Sequence, residues 1–171
     1  DKDTVGIIRK HRGDLPTHYV LCDISDFVTH PFKQRLKTHP VHCPSRELHL
    51  IWHEKVFMLQ KAAAINPYLS EYFCWVDAGL CLYRSTPAPR SVFPNPDKIA
   101  QLPRDKFVYS SSEAYNPLRV RTDTYYHHVS GTYVLPRSMI EPFAAMYLEY
   151  LDRLLDHANI WTDQVVLTHM Y

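Results

Sequence analysis

Glycine is scarce in this chain: four residues in 171, against thirteen prolines and twelve tyrosines. Its connections therefore read as long irregular segments, stiffened by proline, around an aromatic-rich core. Cysteine is equally sparse. Cys22, Cys43, Cys74 and Cys81 show no CxxC spacing, which argues against a structural zinc site and for free, buried thiols. Neither sign of charge dominates, and a formal net charge of +1 leaves no basic footprint for a broad nucleic-acid surface. No apolar run approaches the roughly 20 residues that span a bilayer, and no signal-peptide pattern opens the chain. Internal repeats and low-complexity tracts are missing too. What remains is a length that suits one domain over residues 1–171, with enough chain to bury a core. The chain opens on Asp1 instead of Met, so it reads as a processed product, a domain or a fragment.

The most informative stretch is Tyr72-Phe73-Cys74-Trp75-Val76-Asp77-Ala78-Gly79. Five apolar or aromatic residues in a row read as a strand buried on both faces. The run stops at an aspartate followed by two very small residues. In an open α/β sheet, ligands bind outside the carboxyl ends of the strands. Asp77 is placed for that role, and Ala78 and Gly79 would let a ligand approach the backbone. The alternative is that Asp77 caps the turn after a core strand.

Around this stretch the pattern alternates. Residues 1–18 are polar and basic with little periodicity, and Tyr19 to Cys22 form a short apolar run consistent with an interior strand. Ser45 is a natural N-cap, with Glu47 in the first turn of a helix that Asn66-Pro67 stops. The apolar stripe of that helix is Leu48, Ile51, Trp52, Leu59 and Ala62, with Met58 beside it. The spacing puts Lys55 in the middle of the stripe, where a lysine must snorkel, pair with an internal acid or face an anionic ligand. Residues 84–105 hold five prolines and form a long loop after the candidate site. Phe107 to Ser110 is a further strand candidate, and His127 to Leu135 another, with Gly131 at a kink or a close approach. Arg119 and Arg121 read as solvated surface or a phosphate contact. Ser138-Met139-Ile140-Glu141 fits a capping box opening a second helix, with Ile140, Phe143, Tyr147, Tyr150, Leu151 and Leu154 facing inward and Asn159 at its end. Trp161-Thr162-Asp163-Gln164 opens a last helical segment. Strands alternating with helices predict an α/β fold with a mostly parallel central sheet flanked by helices.

Three polar features stand against this apolar background: Asp77 at a strand end, Ser130-Gly131 within a strand, and Asp163-Gln164 at a helix start. A divalent ion needs hard oxygen ligands, which Asp77 offers; Asp163 or His169 could add another, or act as base toward a hydroxyl. His127 and His128 are neighbours in a strand, face opposite sides and cannot share one metal. The remaining histidines show no ligand spacing, which disfavours a metal-dependent hydrolase.

The order strand-Asp, strand with Ser-Gly, helix, Asp-Gln resembles the layout of GT-A glycosyltransferases, and more closely the HtrL/YibB family of glycosyltransferase-like proteins. The resemblance runs from about residue 19 to the end. It is carried by Glu47-Leu48, Ile51-Trp52 and Lys55, by Asn66-Pro67, by Phe73-x-Trp75-Val76-Asp77-Ala78-Gly79, by Val129-Ser130-Gly131-Thr132-Tyr133 and by Asp163-Gln164. It implies a GT-A-like, Rossmann-like domain short of its first strand. The implied activity moves a sugar from a nucleotide-sugar donor to a glycan or other hydroxyl acceptor, as in polysaccharide biosynthesis. A catalytically inactive sugar- or nucleotide-binding module of the same fold is the alternative. In this reading Asp163 is catalytic, orienting or deprotonating the acceptor. Lys55, Asp77, Ala78, Gly79, Ser130, Gly131, Tyr133 and Gln164 contact the donor. Asp77 and His169 hold a divalent metal, Mn²⁺ or Mg²⁺. The usual GT-A pattern Asp-x-Asp is broken here, because Gly79 stands where the second acid is expected.

Overall fold

In a computed structural model of the chain, the residues described are 2–77, 87, 92, 94–157 and 160–171. Ala78, Gly79, Cys81 and Asn159 lie outside them, as does most of the proline-rich stretch before Pro94.

Helix α2 (Arg46–Ile65) is the longest element before the sheet, and its ends follow the local chemistry. The Ser45 hydroxyl accepts the Leu48 N–H at 3.1 Å, satisfying one of the donors a helix start leaves unpaired. At the far end Asn66 takes the left-handed conformation, φ 36°, and its N–H closes on the Ala62 carbonyl. The Asn66 amide then brackets Ser70, accepting its N–H and donating to its carbonyl. That clamp aims the chain directly into strand β1 (Tyr72–Trp75).

Strand β1 pairs antiparallel with β3 (Val129–Pro136), and β3 pairs antiparallel with β2 (Val108–Ser111). The spatial order is β1-β3-β2, with β3 in the centre. The expected mostly parallel GT-A sheet is therefore overturned: the chain is α/β, but its sheet is three antiparallel strands. The burial of β3 gives the physical reason. Val129, Gly131, Tyr133 and Leu135 are buried while Ser130, Thr132 and Val134 are only partly so. Such alternation belongs to a sheet covered on one face, the habit of antiparallel sheets. Accordingly β1 is not buried on both faces, and Cys74 is exposed, as is Cys22; only Cys43 is a buried thiol among the described residues.

The covered face packs on α2, α5 (Arg137–His157) and α6 (Asp163–Met170) around Val56, Phe57, Leu135, Ile140, Tyr147 and Val166. Helix α5 leaves β3 without an intervening residue, and its first N–H bonds the Glu71 carbonyl at 2.8 Å. Ser138 consequently sits inside the helix, and the predicted capping box does not form there. Glu141 instead accepts from the Gln60 amide at 2.6 Å. Two further expectations fail at the N-terminal side. Residues 1–18 contain helix α1 (Lys2–Arg12), and Val20, Leu21 and Cys22 are exposed outside any strand. Helices α3 (Pro96–Ala100) and α4 (Pro117–Thr122) are short and Asn-capped.

The buried face of α2 is rotated from the predicted stripe. It presents His49, Leu50, His53, Glu54, Lys55, Val56, Phe57, Leu59 and Ala63, while Ile51 is exposed. Glu54 explains part of the shift. Its carboxylate accepts the Val28 N–H, the Thr29 N–H and the Thr29 hydroxyl at 3.0, 3.0 and 2.7 Å. This holds the segment of Phe27 and Leu36 against Leu50 in a small second core. Replacing Glu54 with Ala strands three donors and should cost about 3 kcal/mol, lowering Tm by roughly 6–12 °C for a chain of this size. A thermal melt measures it, and an unchanged Tm would show the clamp to be dispensable.

Candidate functional site: a lysine between two carboxylates

The site is built by strand register. Trp75 lies opposite Tyr133 in the β1–β3 pair. Continuing the same antiparallel register by two residues puts Asp77 opposite Gly131, on the face the helices cover. A Cβ at Gly131 would lie 2.8 Å from Asp77 Oδ2 and 3.1 Å from Gln164 Nε2. The glycine is therefore the space that the Asp77 carboxylate and the Gln164 amide occupy, which is the close approach the sequence suggested.

Lys55 enters this space from α2 and is 5% exposed. Its Nζ lies 3.1 Å from Asp77 Oδ1, 3.2 Å from Asp77 Oδ2 and 3.2 Å from Asp163 Oδ2. The contact with Asp163 is an ion pair without hydrogen-bond alignment. The Trp75 indole donates to Asp77 Oδ1 at 2.8 Å, and its ring stands 5.9 Å from the ammonium. Lys55 is thus paired with an internal acid, one of the roles its place in the stripe allowed.

Asp163 begins α6, next to the extended Thr162. The Thr168 hydroxyl fixes that helix: it accepts the His128 and Val129 N–H groups and donates to the Gln164 carbonyl. Through this staple the start of α6 is registered on β3, and Asp163 and Gln164 meet Lys55 and Gly131. Burial raises the Asp163 carboxyl from its ordinary value of 3.8 to about 6, against the pull of Lys55 and with a smaller push from Asp77. The two carboxylates differ in access, the Asp77 side chain being 42% exposed and that of Asp163 5%. Tyr133 lies beneath them with its hydroxyl buried and unpartnered, and burial, then Asp163 and Asp77, hold its pKa well above the usual phenol range. It remains a donor.

The other candidate residues fall elsewhere. Ser130 is on the opposite face of β3, and its hydroxyl pairs with that of Ser110 on β2. His169 lies six residues along α6 from Asp163, about 9 Å further on and roughly 120° around the helix. It is desolvated, and Arg153 of α5 adds to the lowering of its pKa. His127 and His128 precede β3 and are not strand residues, contrary to the expectation; their rings bond Ser112 and Tyr109 respectively. Arg119 is held by Glu113 and Asp123 and lies over Tyr126, and the Arg121 guanidinium donates to the Pro117 carbonyl.

Sequence reasoning missed His49 and His53. They are one turn apart on α2, both fully buried, so the histidines are not all scattered. His53 Nδ1 hydrogen-bonds the Tyr147 hydroxyl at 2.8 Å, and burial, then His49 and Lys55, lower its pKa to about 3. It is a neutral ring. The i, i+4 spacing on a buried stripe was the signal that could have found the pair.

For a divalent ion, three of the four carboxylate oxygens of Asp77 and Asp163 are already engaged. Asp77 Oδ1 and Oδ2 and Asp163 Oδ2 all touch the Lys55 ammonium, and Asp77 Oδ1 also accepts from Trp75. An added dication about 4 Å from that ammonium would meet a repulsion of about 8 kcal/mol at the effective dielectric of a protein surface. The donor set fits an ammonium and does not fit an ammonium plus a divalent ion. Among the described residues, no three His, Cys, Asp or Glu side chains converge for an ion. Two open cavities, of about 520 and 320 Å³, lie elsewhere. The larger is at the opposite end of β1, lined by Ser70, Glu71, Tyr72, Arg104 and Arg137.

Two outcomes follow from this geometry. Gly131→Ala should force Asp77 aside and destabilise the fold by about 1–3 kcal/mol; in an Asp77→Gly background the same change should cost much less. Equal costs in the two backgrounds, by denaturant titration, would refute the packing argument. Asp163 gives a pH signature. Its carboxyl loses a proton near 3.8 when unfolded and near 6 when folded, so between these values the folded state binds more protons. Stability then falls as pH rises through that window, by about 3 kcal/mol, and is level above it. Asp163→Asn should remove that slope, and a slope unchanged in the variant would assign it to another group.

No family model, no curated protein and no solved structure matches this chain.

Proposed function

We propose that the chain transfers a sugar from a nucleotide-sugar donor to a hydroxyl of a glycan or similar acceptor. The observation that carries this reading is the meeting of Lys55, Asp77 and Asp163, from three distant parts of the chain, in one ion-paired cluster flanked by Gly131 and Gln164. The resemblance of the Trp-Val-Asp-Ala-Gly and Trp-x-x-Lys segments to the HtrL/YibB family supports the same reaction. The reading rests on these residues alone, since the sheet is not that of a GT-A domain.

The exposures divide the labour. Asp77 is the carboxylate an acceptor can reach, and Asp163 sits behind Lys55 and holds it. An acceptor hydroxyl gives its proton to Asp77 as its oxygen attacks the anomeric carbon. The bond from that carbon to the diphosphate breaks, and its electron pair leaves with the diphosphate oxygen. Protonation removes the charge of Asp77, so the Lys55 ammonium loses one partner while negative charge grows on the leaving group. Charge placed where it is needed in the transition state is the largest contribution a site of this kind makes. Gln164, beside Gly131, is placed to hydrogen-bond sugar hydroxyls.

The test is release of nucleotide from a panel of UDP-, GDP- and CMP-sugars with simple glycoside acceptors. At least one donor should be consumed, and Asp77→Asn should slow its release by about 100-fold or more in protein that still melts cooperatively, with a Tm lowered by the loss of one Lys55 partner. Full activity in that variant would overturn the assignment. Donor binding without any release would favour a binding module instead.

A further inference from the structure

The two carboxylates of this site face each other across a lysine. We propose that the Lys55 ammonium is the resident cation of the site, and that the protein binds and turns over its donor without a divalent metal. For turnover the inference rests on the transferase reading; for occupancy of the cation position it stands alone.

Three features of the geometry lead here. Nζ stands 3.1–3.2 Å from three carboxylate oxygens, hydrogen-bonded to Asp77 Oδ2 and ion-paired with Asp77 Oδ1 and Asp163 Oδ2, so its charge is shared by both acids. Second, the Trp75 indole N–H occupies a lone pair of Asp77 Oδ1. That neutral donor orients the carboxylate toward the lysine and removes a coordination direction. Third, the side of Asp77 Oδ2 that faces Gly131 and Gln164 is closed. Even a single carbon at Gly131 would stand 2.8 Å from that oxygen and 3.1 Å from the Gln164 amide nitrogen. Mg²⁺ demands near-octahedral coordination and usually keeps several waters. A gap narrower than a methyl group does not admit that shell on the side where the carboxylate meets β3 and α6. Lys55 projects from the middle of a 20-residue helix that is packed on the sheet, so the ammonium is delivered by a rigid element.

A side chain at the cation position cannot be stripped by a chelator. It also carries one charge instead of two, and the site's net charge with both acids ionised is −1. Lys55→Ala should leave two carboxylates facing across the vacated space, which is the donor set of a hard divalent ion. The variant should therefore acquire the ion that the natural protein excludes.

Mn²⁺ titration followed by the EPR signal of the free ion tests this on the full chain. The natural protein should take up no Mn²⁺ at the site. Lys55→Ala should bind it more tightly by on the order of a hundredfold, and Lys55→Ala/Asp163→Asn should lose that gain. Lys55→Met, which keeps the length of the stem, serves if the alanine variant does not melt cooperatively. Stoichiometric Mn²⁺ on the natural protein, abolished by Asp77→Asn, would overturn the proposal, and so would a lysine variant that folds and gains no affinity. Nucleotide release should be the same in EDTA as in Mn²⁺; release that fails in EDTA and returns with Mn²⁺ also overturns it. A chain that consumes no donor at all would remove the transferase reading, and the Mn²⁺ titration would still decide the cation position.

Discussion

An ammonium taken out of water sets the terms for this fold. The effective penalty for burying one ion is several kcal/mol, and removing one partner from a buried pair typically costs about 3–5 kcal/mol. Lys55 is 5% exposed, so its carboxylates have to be delivered with ångström accuracy. One comes from just past the end of β1 and the other from the first residue of α6, 86 positions later. The antiparallel register brings Asp77 to Gly131, and the Thr168 hydroxyl brings α6 to the start of β3. Each of these contacts answers the same electrostatic demand.

Helix α2 carries that demand along its whole length. Its buried side is unusually polar for a helix packed on a sheet: Glu54 is satisfied by the backbone and hydroxyl of Val28 and Thr29, His53 meets Tyr147 through Nδ1, and Lys55 is paired with the two acids. The three sit within consecutive positions, so they point to different neighbours, one toward the N-terminal segment, one toward α5 and one toward the sheet. Polar groups with distinct partners fix how the helix is rotated, in a way that interchangeable leucines would not.

This explains what could and could not be foreseen from the amino-acid string. Lys55 in an apolar stripe, Asp77 after an aromatic run and Gly131 inside a strand each break a local rule, and breaks of that kind point to sites. Their convergence was legible for that reason. The direction of the strands was not, because periodicity reports which residues share a face and is silent on which way a neighbour runs. The alternation in Val129–Pro136 held the clue to a sheet covered on one side, but the unbroken run at Tyr72–Trp75 suggested the opposite. The α2 stripe was misplaced because the prediction counted only apolar side chains, whereas His49, His53 and Glu54 are among the residues buried. Ser130 was included with Gly131 through adjacency, although neighbours in a strand point to opposite faces.

Gly131 also constrains the order in which this site can change. With Asp77 present, any side chain at 131 meets a carboxylate oxygen, so substitutions there are closed. Once position 77 has become small, the same substitutions open, but the carboxylate then has no room to return until 131 reverts to glycine. The pair works as a one-way ratchet: loss of the acid can be followed by a second change that bars its recovery. A descendant with a side chain at 131 would be expected to have lost Asp77 first, and its Lys55 to have either lost its charge or found another acid.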